Sequence, residues 1–266
     1  MARAGRLLVM GGTEGRSSGS SVLARFVELA GARSPHVVLV TTAAANPDQA
    51  HAEYAVAFAR LGLGSLHQLR LADRADADGK HALGMLRQAS AVLFCGGDQC
   101  RLSSLVGSGV SKLLRRRLER DGLVIGGTSA GATALGDTMI LGGEGGNVSA
   151  ESVRTAPGLG LLPGVLIDMH FGQRGRLPRL LSAVSMEPEL LGVGIDEDTA
   201  ILVQGSRFEV LGSGAVTVLD GRGAVVALPR DANDPLTVVD VRLHVLRDGC
   251  SYDIKFRRPS IWPFTE

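Results

Sequence analysis

The chain has 266 residues, of which 45% are hydrophobic, and its formal net charge at pH 7 is +1. A near-neutral chain offers no global electrostatic reason to bind nucleic acid or an anionic membrane surface. Its 36 glycines cluster beside apolar runs without a repeat, and its three cysteines are too few for a disulfide scaffold, so collagen-like and disulfide-rich classes are excluded.

The N-terminal segment is interpreted as a buried strand and not as a targeting signal. The apolar run Leu7–Met10 stops at Gly11 and Gly12, and no small-residue cleavage site follows it. No apolar stretch of the chain approaches the ~20 residues that a membrane-spanning helix needs. We therefore expect a cytoplasmic protein with no membrane partner.

Strands and helices alternate through the first two-thirds of the chain. The predicted strands are Leu7–Met10, His36–Val40, Leu66–Leu71, Ala91–Phe94 and Leu123–Ile125. The predicted helices are Val22–Leu29, Pro47–Leu61 and Val110–Arg120. This alternation predicts an α/β fold with a mostly parallel sheet and helices on both of its faces.

The final third of the chain consists of short β runs with tight connections. These runs are Val165–Asp168, Leu191–Ile195, Ala200–Val203, Phe208–Leu211, Ala215–Leu219 and Leu243–Leu246. We expect antiparallel strands that extend the same sheet or form a small β appendage. No change in composition divides the chain, so residues 1–266 are expected to form a single domain.

One motif has the sequence context of a nucleophile. Residues 127–131 read Gly-Thr-Ser-Ala-Gly, directly after the strand Leu123–Ile125 and directly before a run of small helix-forming residues. A G-x-S-x-G segment between a strand and a helix is typical of a nucleophile elbow, in which a sharp turn exposes the serine and requires tiny neighbours. The alternative is a tight connection with Ser129 as the helix N-cap. A second match, at residues 15–19, begins several residues beyond its strand, which favours a loop for Ser17.

A serine nucleophile needs a base, and His170 is the best placed of the six histidines. It ends the strand pattern of residues 165–170, so it could reach the carboxyl edge of a parallel sheet, where sites form. The segment that follows contains Arg174, Arg176 and Arg179 without neighbouring acids. Such a segment could be a solvated basic face or a cluster that binds a carboxylate, and the sequence leaves both readings open.

Four segments together resemble the cyanophycinases, which are serine peptidases related to α-aspartyl dipeptidase. They are residues 94–99, 123–132, 168–176 and 194–200. The resemblance extends from Leu7 to the last strands. It implies a fold similar to class I glutamine amidotransferases, a dimer, no metal or other cofactor, and cleavage of β-aspartyl-arginine from cyanophycin.

The resemblance also implies a role for each matching position. Ser129 corresponds to the nucleophile and His170 to the general base. The amides of Gly97 and Ala130 correspond to the oxyanion hole. Substrate-binding positions are matched by Gln99, Asp168, Arg174, Arg176 and Arg179. In these roles Asp168 suits a guanidinium, and Arg174 or Arg179 suits a carboxylate.

Two departures from the family pattern have consequences. Asn147 stands where the family's supporting glutamate is expected, with Glu144 and Glu151 displaced by three or four residues. We predict that Asn147 orients His170, because an amide carbonyl can hold an imidazole although it cannot stabilise the imidazolium as a charge does. Met169 replaces a glutamine that many members have, which points to a substrate other than cyanophycin.

Other constellations favour structural explanations. Residues 196–198 read Asp-Glu-Asp and are interpreted as a loop that orders the strand beginning at Ala200, not as a cation site. Residues 11–15 lack the spacing of a dinucleotide-binding loop.

The sequence thus predicts a serine peptidase that cleaves an amide at a β-aspartyl or related acidic residue through an acyl-enzyme. It acts on a peptide with a free carboxylate, without nucleic acid, and as a homodimer. The alternative is a catalytically weakened homologue that binds peptides or transfers acyl groups in biosynthesis.

Overall fold

The computed structural model describes residues 4–13, 21–31, 35–143, 146–227 and 234–261. The strands in these ranges are β1 (Arg6–Met10), β2 (Val37–Val40), β3 (Leu66–Leu69), β4 (Ala91–Phe94), β5 (Val124–Thr128), β6 (Gly136–Gly142), β7 (Arg154–Pro157), β8 (Leu162–Met169), β9 (Leu191–Ile195), β10 (Thr199–Gln204), β11 (Arg207–Gly212), β12 (Ala215–Asp220), β13 (Val225–Ala227), β14 (Thr237–Val239), β15 (Arg242–Arg247), β16 (Ser251–Asp253) and β17 (Arg258–Ser260). The α-helices are α1 (Ser21–Ala30), α2 (Pro47–Arg60), α3 (Arg74–Asp78), α4 (Lys80–Gln88), α5 (Gly109–Arg120), α6 (Ala130–Thr133) and α7 (Leu177–Met186). Short 3₁₀ helices span Gln99–Leu105, Ala150–Ser152 and Gly172–Arg174.

Two large sheets organise the described residues. The first has the order β17-β16-β11-β10-β1-β5-β4-β2-β3, and its strands from β1 to β3 pair in parallel. The second has the order β15-β12-β9-β8-β6-β7, with a parallel centre formed by β6, β8 and β9. Strands β13 and β14 form a separate hairpin.

The layers follow from the alternation of side chains along each strand. On β1, Leu8 and Met10 pack with apolar residues of α1 and α2, whereas Leu7 and Val9 face α4, α5 and the second sheet. The far face of the second sheet packs against α7. The strands of the first sheet's parallel centre are buried on both faces, as expected for apolar runs in parallel sheets.

The expected elements are largely present, but their pairing differs from the expectation. Strands β4 and β9 have the predicted bounds, and the predicted α/β class with a mostly parallel sheet is confirmed. The final-third strands do not extend a single sheet: β10, β11, β16 and β17 join the first sheet, whereas β8, β9, β12 and β15 build the second. Periodicity reports which residues are buried and not which strands become neighbours.

Two further findings concern the helices. The basic segment after His170 continues into α7, with Pro178 in its first turn, where a missing amide proton costs nothing. In the ranges that the structure describes, no helix is both long and apolar enough to cross a membrane.

Candidate active site

Ser129 occupies a strained turn between β5 and α6. Its backbone dihedrals are φ 51° and ψ −116°, a conformation that non-glycine residues rarely adopt and that costs of order 1–3 kcal/mol. The side chain is only half-buried, although the residues on either side of it are fully buried. The predicted strained elbow is therefore confirmed, and it holds a hydroxyl accessible at the carboxyl end of β5.

Small residues make this turn possible. A Cβ atom on Gly131 would lie 2.3 Å from the carbonyl oxygen of Phe94, and one on Gly127 would lie 2.5 Å from the carbonyl oxygen of Gly131. Both distances are far inside van der Waals contact. The strand, the turn and the short helix can pack this closely because neither position carries a side chain.

His170 meets Ser129 from the second sheet. It directly follows β8, and its Nε2 lies 3.0 Å from the Ser129 Oγ. Two contacts position the residue: its amide donates to the Gly11 carbonyl at 2.9 Å, and the imidazole packs so closely on Gly12 that a Cβ there would lie 2.3 Å from Cε1. The hydroxyl of Thr133 on α6 donates to the Ile167 carbonyl on β8 at 2.7 Å, which ties the elbow to the histidine's strand.

Glu197 holds the other imidazole nitrogen. Its Oε1 lies 2.7 Å from His170 Nδ1. An ionised carboxylate can only accept, so Nδ1 carries the proton and Nε2 of the neutral ring is free to accept from the serine hydroxyl. The pKa of Glu197 lies below its ordinary value, chiefly because its carboxylate accepts this hydrogen bond, with contributions from the Thr13 hydroxyl and from Arg174.

The prediction that Asn147 orients His170 is wrong in this geometry. Asn147 is exposed, and Glu197 occupies the position beside Nδ1. Glu151, one of the two alternatives, is also exposed, on the 3₁₀ helix Ala150–Ser152, while Glu144 lies outside the described residues. Spacing after the elbow was the wrong criterion, because the supporting acid comes from the loop between β9 and β10.

The position of Glu197 follows from the pairing of two strands. Strands β8 and β9 pair in parallel, with Met169 opposite Ile195, so the residues that follow them emerge side by side. Asp196 has a structural role, because its carboxylate accepts from the amides of Gly172 and Ala215, and it thus orders the start of β12 instead of the predicted strand at Ala200. The neighbouring residue, Glu197, has instead a role at the site, because it contacts His170.

The two predicted oxyanion-hole residues belong to two segments that adjoin the serine. Ala130 begins α6, and the loop of Gly96 and Gly97 after β4 packs against Ser129, since a Cβ on Gly96 would lie 3.3 Å from the serine Cβ. Gly97 adopts φ +141°, where a side chain would also collide with the Ala43 carbonyl at 2.1 Å. Within the described ranges, neither the Gly97 nor the Ala130 amide donates a hydrogen bond to another group.

Asp168 and Arg179 form a buried internal pair and do not present free groups to a substrate. Asp168 is 0% exposed and Arg179 is 5% exposed. The guanidinium binds both carboxylate oxygens, with Nε 2.7 Å from Oδ2 and Nη2 on Oδ1, and its Nη1 donates to the Gly143 carbonyl at 3.0 Å. The prediction that these two residues each bind substrate charge is wrong in this geometry, because the two charges pair with each other and both side chains are buried.

Arg176 and Arg174 leave positive charge near the site. Arg176 Nη1 lies 3.4 Å from Asp168 and also contacts the carbonyl and sulfur of Met169. Burial lowers the pKa of Arg176 to about 10, although Asp168 opposes the shift. Two arginines on one buried carboxylate leave a net positive charge. Arg174 is exposed, and it makes no ion pair within the described part of the chain.

Gln99 anchors the neighbouring strand. Its side-chain amide donates to the carbonyls of Ile140 and Leu141 at 3.2 and 2.6 Å, so it holds the end of β6 beside the loop of Gly97.

Among the described residues no group of three or more histidine, cysteine or acidic side chains could hold a metal ion.

Comparison with known proteins identifies the family of the chain. The sequence profile described as peptidase family S51 matches residues 7–211. The chain belongs to peptidase family S51. It is therefore a peptidase of the serine type, and the resemblance drawn from the sequence motifs is confirmed.

The relatives are similar over most of their length. A cyanophycinase from Synechococcus elongatus is 37% identical over 256 residues, which cover 94% of this chain and 80% of that protein. A cyanophycinase from Geminocystis herdmanii is 36% identical over 95% of both chains. The crystal structure of a peptidase from an acI-B1 Actinobacterium superposes with a TM-score of 0.68 at 21% identity, over 94% of this chain and 97% of that one, which supports the fold.

Proposed function

We propose that this member of the family hydrolyses cyanophycin or a cyanophycin-like peptide at a β-aspartyl residue, through an acyl-enzyme on Ser129. The observation that carries the proposal is the continuous chain of contacts from the Ser129 hydroxyl through His170 to the Glu197 carboxylate. The curated relatives described above are cyanophycinases, which supports the substrate class.

In the first half of the reaction His170 acts as the general base. Its Nε2 takes the proton from Ser129 Oγ as the oxygen attacks the scissile carbonyl, and the ring becomes an imidazolium stabilised by the Glu197 carboxylate at Nδ1. The carbonyl oxygen becomes an oxyanion, and the amides of Gly97 and Ala130 would donate to it. Donors that are fixed before the reaction stabilise this charge without reorganisation.

In the second half His170 acts as the general acid and then again as the base. It returns the proton to the leaving nitrogen, the C–N bond breaks, and the acyl group remains on Ser129. Water then loses a proton to Nε2 and attacks the ester carbonyl. The C–O bond to Ser129 breaks as His170 gives that proton to Oγ, which releases the acid product and restores the serine hydroxyl.

The excess positive charge near His170 fits a substrate with a free carboxylate. Arg174 is exposed and its charge helps to lower the pKa of Glu197, and Arg176 shares its carboxylate partner with Arg179, so these two arginines are the better candidates to bind it. Met169 contacts Arg176 through its sulfur and carbonyl. A different residue at position 169 would therefore change the position of the Arg176 side chain and the substrate that the site prefers.

The alternative, a catalytically weakened homologue that binds peptides or transfers acyl groups in biosynthesis, remains a second prediction. The Glu197 carboxylate beside His170 favours an active enzyme over a weakened binding protein, and an acyltransferase would use the same three residues. A homodimer, a single domain over residues 1–266, a glutamine amidotransferase-like fold and a cytoplasmic location remain predictions. Sedimentation of the purified chain would test the first of these.

Mass spectrometry of reaction products tests the proposal. The enzyme would be incubated with cyanophycin and with two-unit peptides built from β-aspartyl-arginine, β-aspartyl-lysine or β-aspartyl-leucine. We expect release of β-aspartyl dipeptides by the wild type and none by Ser129→Ala. Absence of cleavage of all four substrates by a folded wild-type enzyme would contradict the proposal, and cleavage of one peptide in preference would identify the side chain that the site accepts.

A further inference from the structure

A separate cavity adjoins the loop that carries Gly97. It has a volume of about 620 Å³ and lies between the ends of β2 and β3, the start of α2 and the 3₁₀ helix Gln99–Leu105. Cavities of this size accommodate small organic ligands. In open α/β sheets, ligand sites form outside the carboxyl ends of the parallel strands, which is where this cavity lies. None of its lining residues belongs to the site at Ser129.

Two arginines give the cavity its charge. Arg70 and Arg101 both line it, and each side chain is about half exposed. Arg70 pairs with Asp48, while Arg101 approaches Asp98 only to 4.0 Å. Exposed pairs of this kind contribute little to stability, so a ligand carboxylate can replace either acid at low cost. The Arg101 Nη1 also donates to the Ala44 carbonyl at 2.9 Å, which fixes the guanidinium at the cavity wall.

Thr42 adds a polar group without a partner. It lines the cavity, and its hydroxyl oxygen is buried with no hydrogen-bond partner among the described residues. A buried hydroxyl in this state is unfavourable, and it gains a partner when the side chain turns toward a ligand in the cavity. Thr42 and the two arginines thus line one space.

The cavity shares a wall with the candidate oxyanion loop. Ala44 lines the cavity, and the carbonyl of the preceding residue, Ala43, accepts from the Asp98 amide at 2.9 Å while it faces Gly97. In the sheet, β2 lies two strands from β5. At about 4.8 Å per strand the ends of these strands are about 10 Å apart, which an extended chain of three to four residues spans.

We propose that this cavity is a second substrate subsite, which binds a later carboxylate-bearing unit of the peptide whose first unit lies at Ser129. The inference rests on the proposed function. Arg70 and Arg101 bind the carboxylate, and Thr42 contributes its hydroxyl. Asp48 and Asp98 stand next to the two arginines and complement a cation on the same unit, as the guanidinium of a β-aspartyl-arginine unit would supply.

Binding to the Ser129→Ala protein tests the subsite without turnover. Titration calorimetry would compare a one-unit β-aspartyl-arginine ligand with a four-unit chain, since only the longer ligand reaches from Ser129 to the cavity. We expect the four-unit chain to bind at least tenfold more tightly. In the same background, Arg70→Ala and Arg101→Ala should each weaken the four-unit chain about tenfold and change the one-unit ligand less than twofold.

Two further variants serve as controls for the binding experiment. Arg116→Ala removes an exposed arginine on α5 and should leave both affinities unchanged. Since Arg101→Ala could loosen the loop of Ala44, Thr42→Val provides a second probe that keeps the side-chain shape. We expect Thr42→Val to weaken the four-unit chain several-fold while the one-unit ligand is unaffected.

The outcomes separate the two proposals. Hydrolysis of two-unit peptides by the wild type, together with equal affinities for short and long ligands, would overturn the subsite and leave the proposed function standing. Equal losses for both ligand lengths in the arginine variants would also overturn it. If the wild type neither binds nor cleaves any of these peptides, the proposed function fails and the subsite fails with it.

Discussion

Asp168 and Glu197 lie near the ends of two neighbouring parallel strands, yet their surroundings differ in kind. Asp168 is fully buried and its two oxygens are saturated by Arg179, with Arg176 nearby. The Glu197 side chain is 31% exposed, and its principal partner is a histidine whose other nitrogen faces Ser129. The first carboxylate belongs to the architecture, and the second can support a proton transfer.

Two carboxylates at neighbouring strand ends thus have different roles, one in stability and one in catalysis. A carboxylate bound bidentately by a buried arginine has no capacity left for a substrate, and its loss would leave uncompensated cations. A carboxylate that holds only the Nδ1 proton of a histidine leaves Nε2 available. Variants of the two carboxylates should therefore affect different properties of the protein.

The largest effect is expected from Glu197→Gln. An amide cannot stabilise the imidazolium as a carboxylate does and can favour the wrong tautomer, so kcat should fall by about 10³- to 10⁴-fold with little change in KM. Steady-state kinetics on the cleaved peptide measures this. Asn147→Ala is the matched control and should stay within twofold of the wild type. A large loss of kcat in Asn147→Ala, with little change in Glu197→Gln, would contradict the role of Glu197.

Asp168→Asn should act on stability. It removes the charge between two arginines that are almost fully buried, which costs about 3–5 kcal/mol of the free energy of unfolding. Urea titration measures this loss, and Glu197→Gln in the same titration should lose less than half as much. Equal stability of Asp168→Asn and the wild type would contradict the structural role of Asp168.

Arg174→Ala should have a moderate effect on binding. The side chain is exposed near Glu197 and makes no ion pair within the described ranges, so we expect it to contact a substrate carboxylate. KM should rise about tenfold, as expected for the loss of one charge-assisted hydrogen bond, while kcat changes little. Arg120→Ala on α5 serves as the control. An unchanged KM in Arg174→Ala would exclude this contact.

The smallest effect concerns the pH dependence of stability. The pKa of Glu197 is lowered in the folded chain from its ordinary value of 4.5, so its stabilising contribution is complete above that value and is lost as pH falls through the lowered one. The stability difference between wild type and Glu197→Gln should therefore shrink as urea titrations move from pH 6 to below 4. A difference that grows on acidification would contradict the assigned direction.

The sequence predicted the elements that depend on local pattern. The elbow at Ser129 could be found because its glycines, strand and helix are contiguous, and His170 could be found because it ends an apolar run. Glu197 could not be found in this way, because its position depends on the parallel pairing of β8 with β9. The pair of Asp168 and Arg179 was misjudged for a related reason: whether charged side chains meet depends on how α7 packs against the second sheet.

The rate of covalent labelling of Ser129 tests the central claim most directly. A fluorophosphonate would be mixed with the wild type, Glu197→Gln and Asn147→Ala, and intact-protein mass spectrometry with peptide mapping would follow the adduct. We predict labelling of Ser129 that is slowed at least 100-fold in Glu197→Gln and unchanged in Asn147→Ala. No adduct on Ser129 in the wild type, or an adduct formed at the same rate in Glu197→Gln, would contradict the catalytic assembly of Ser129, His170 and Glu197.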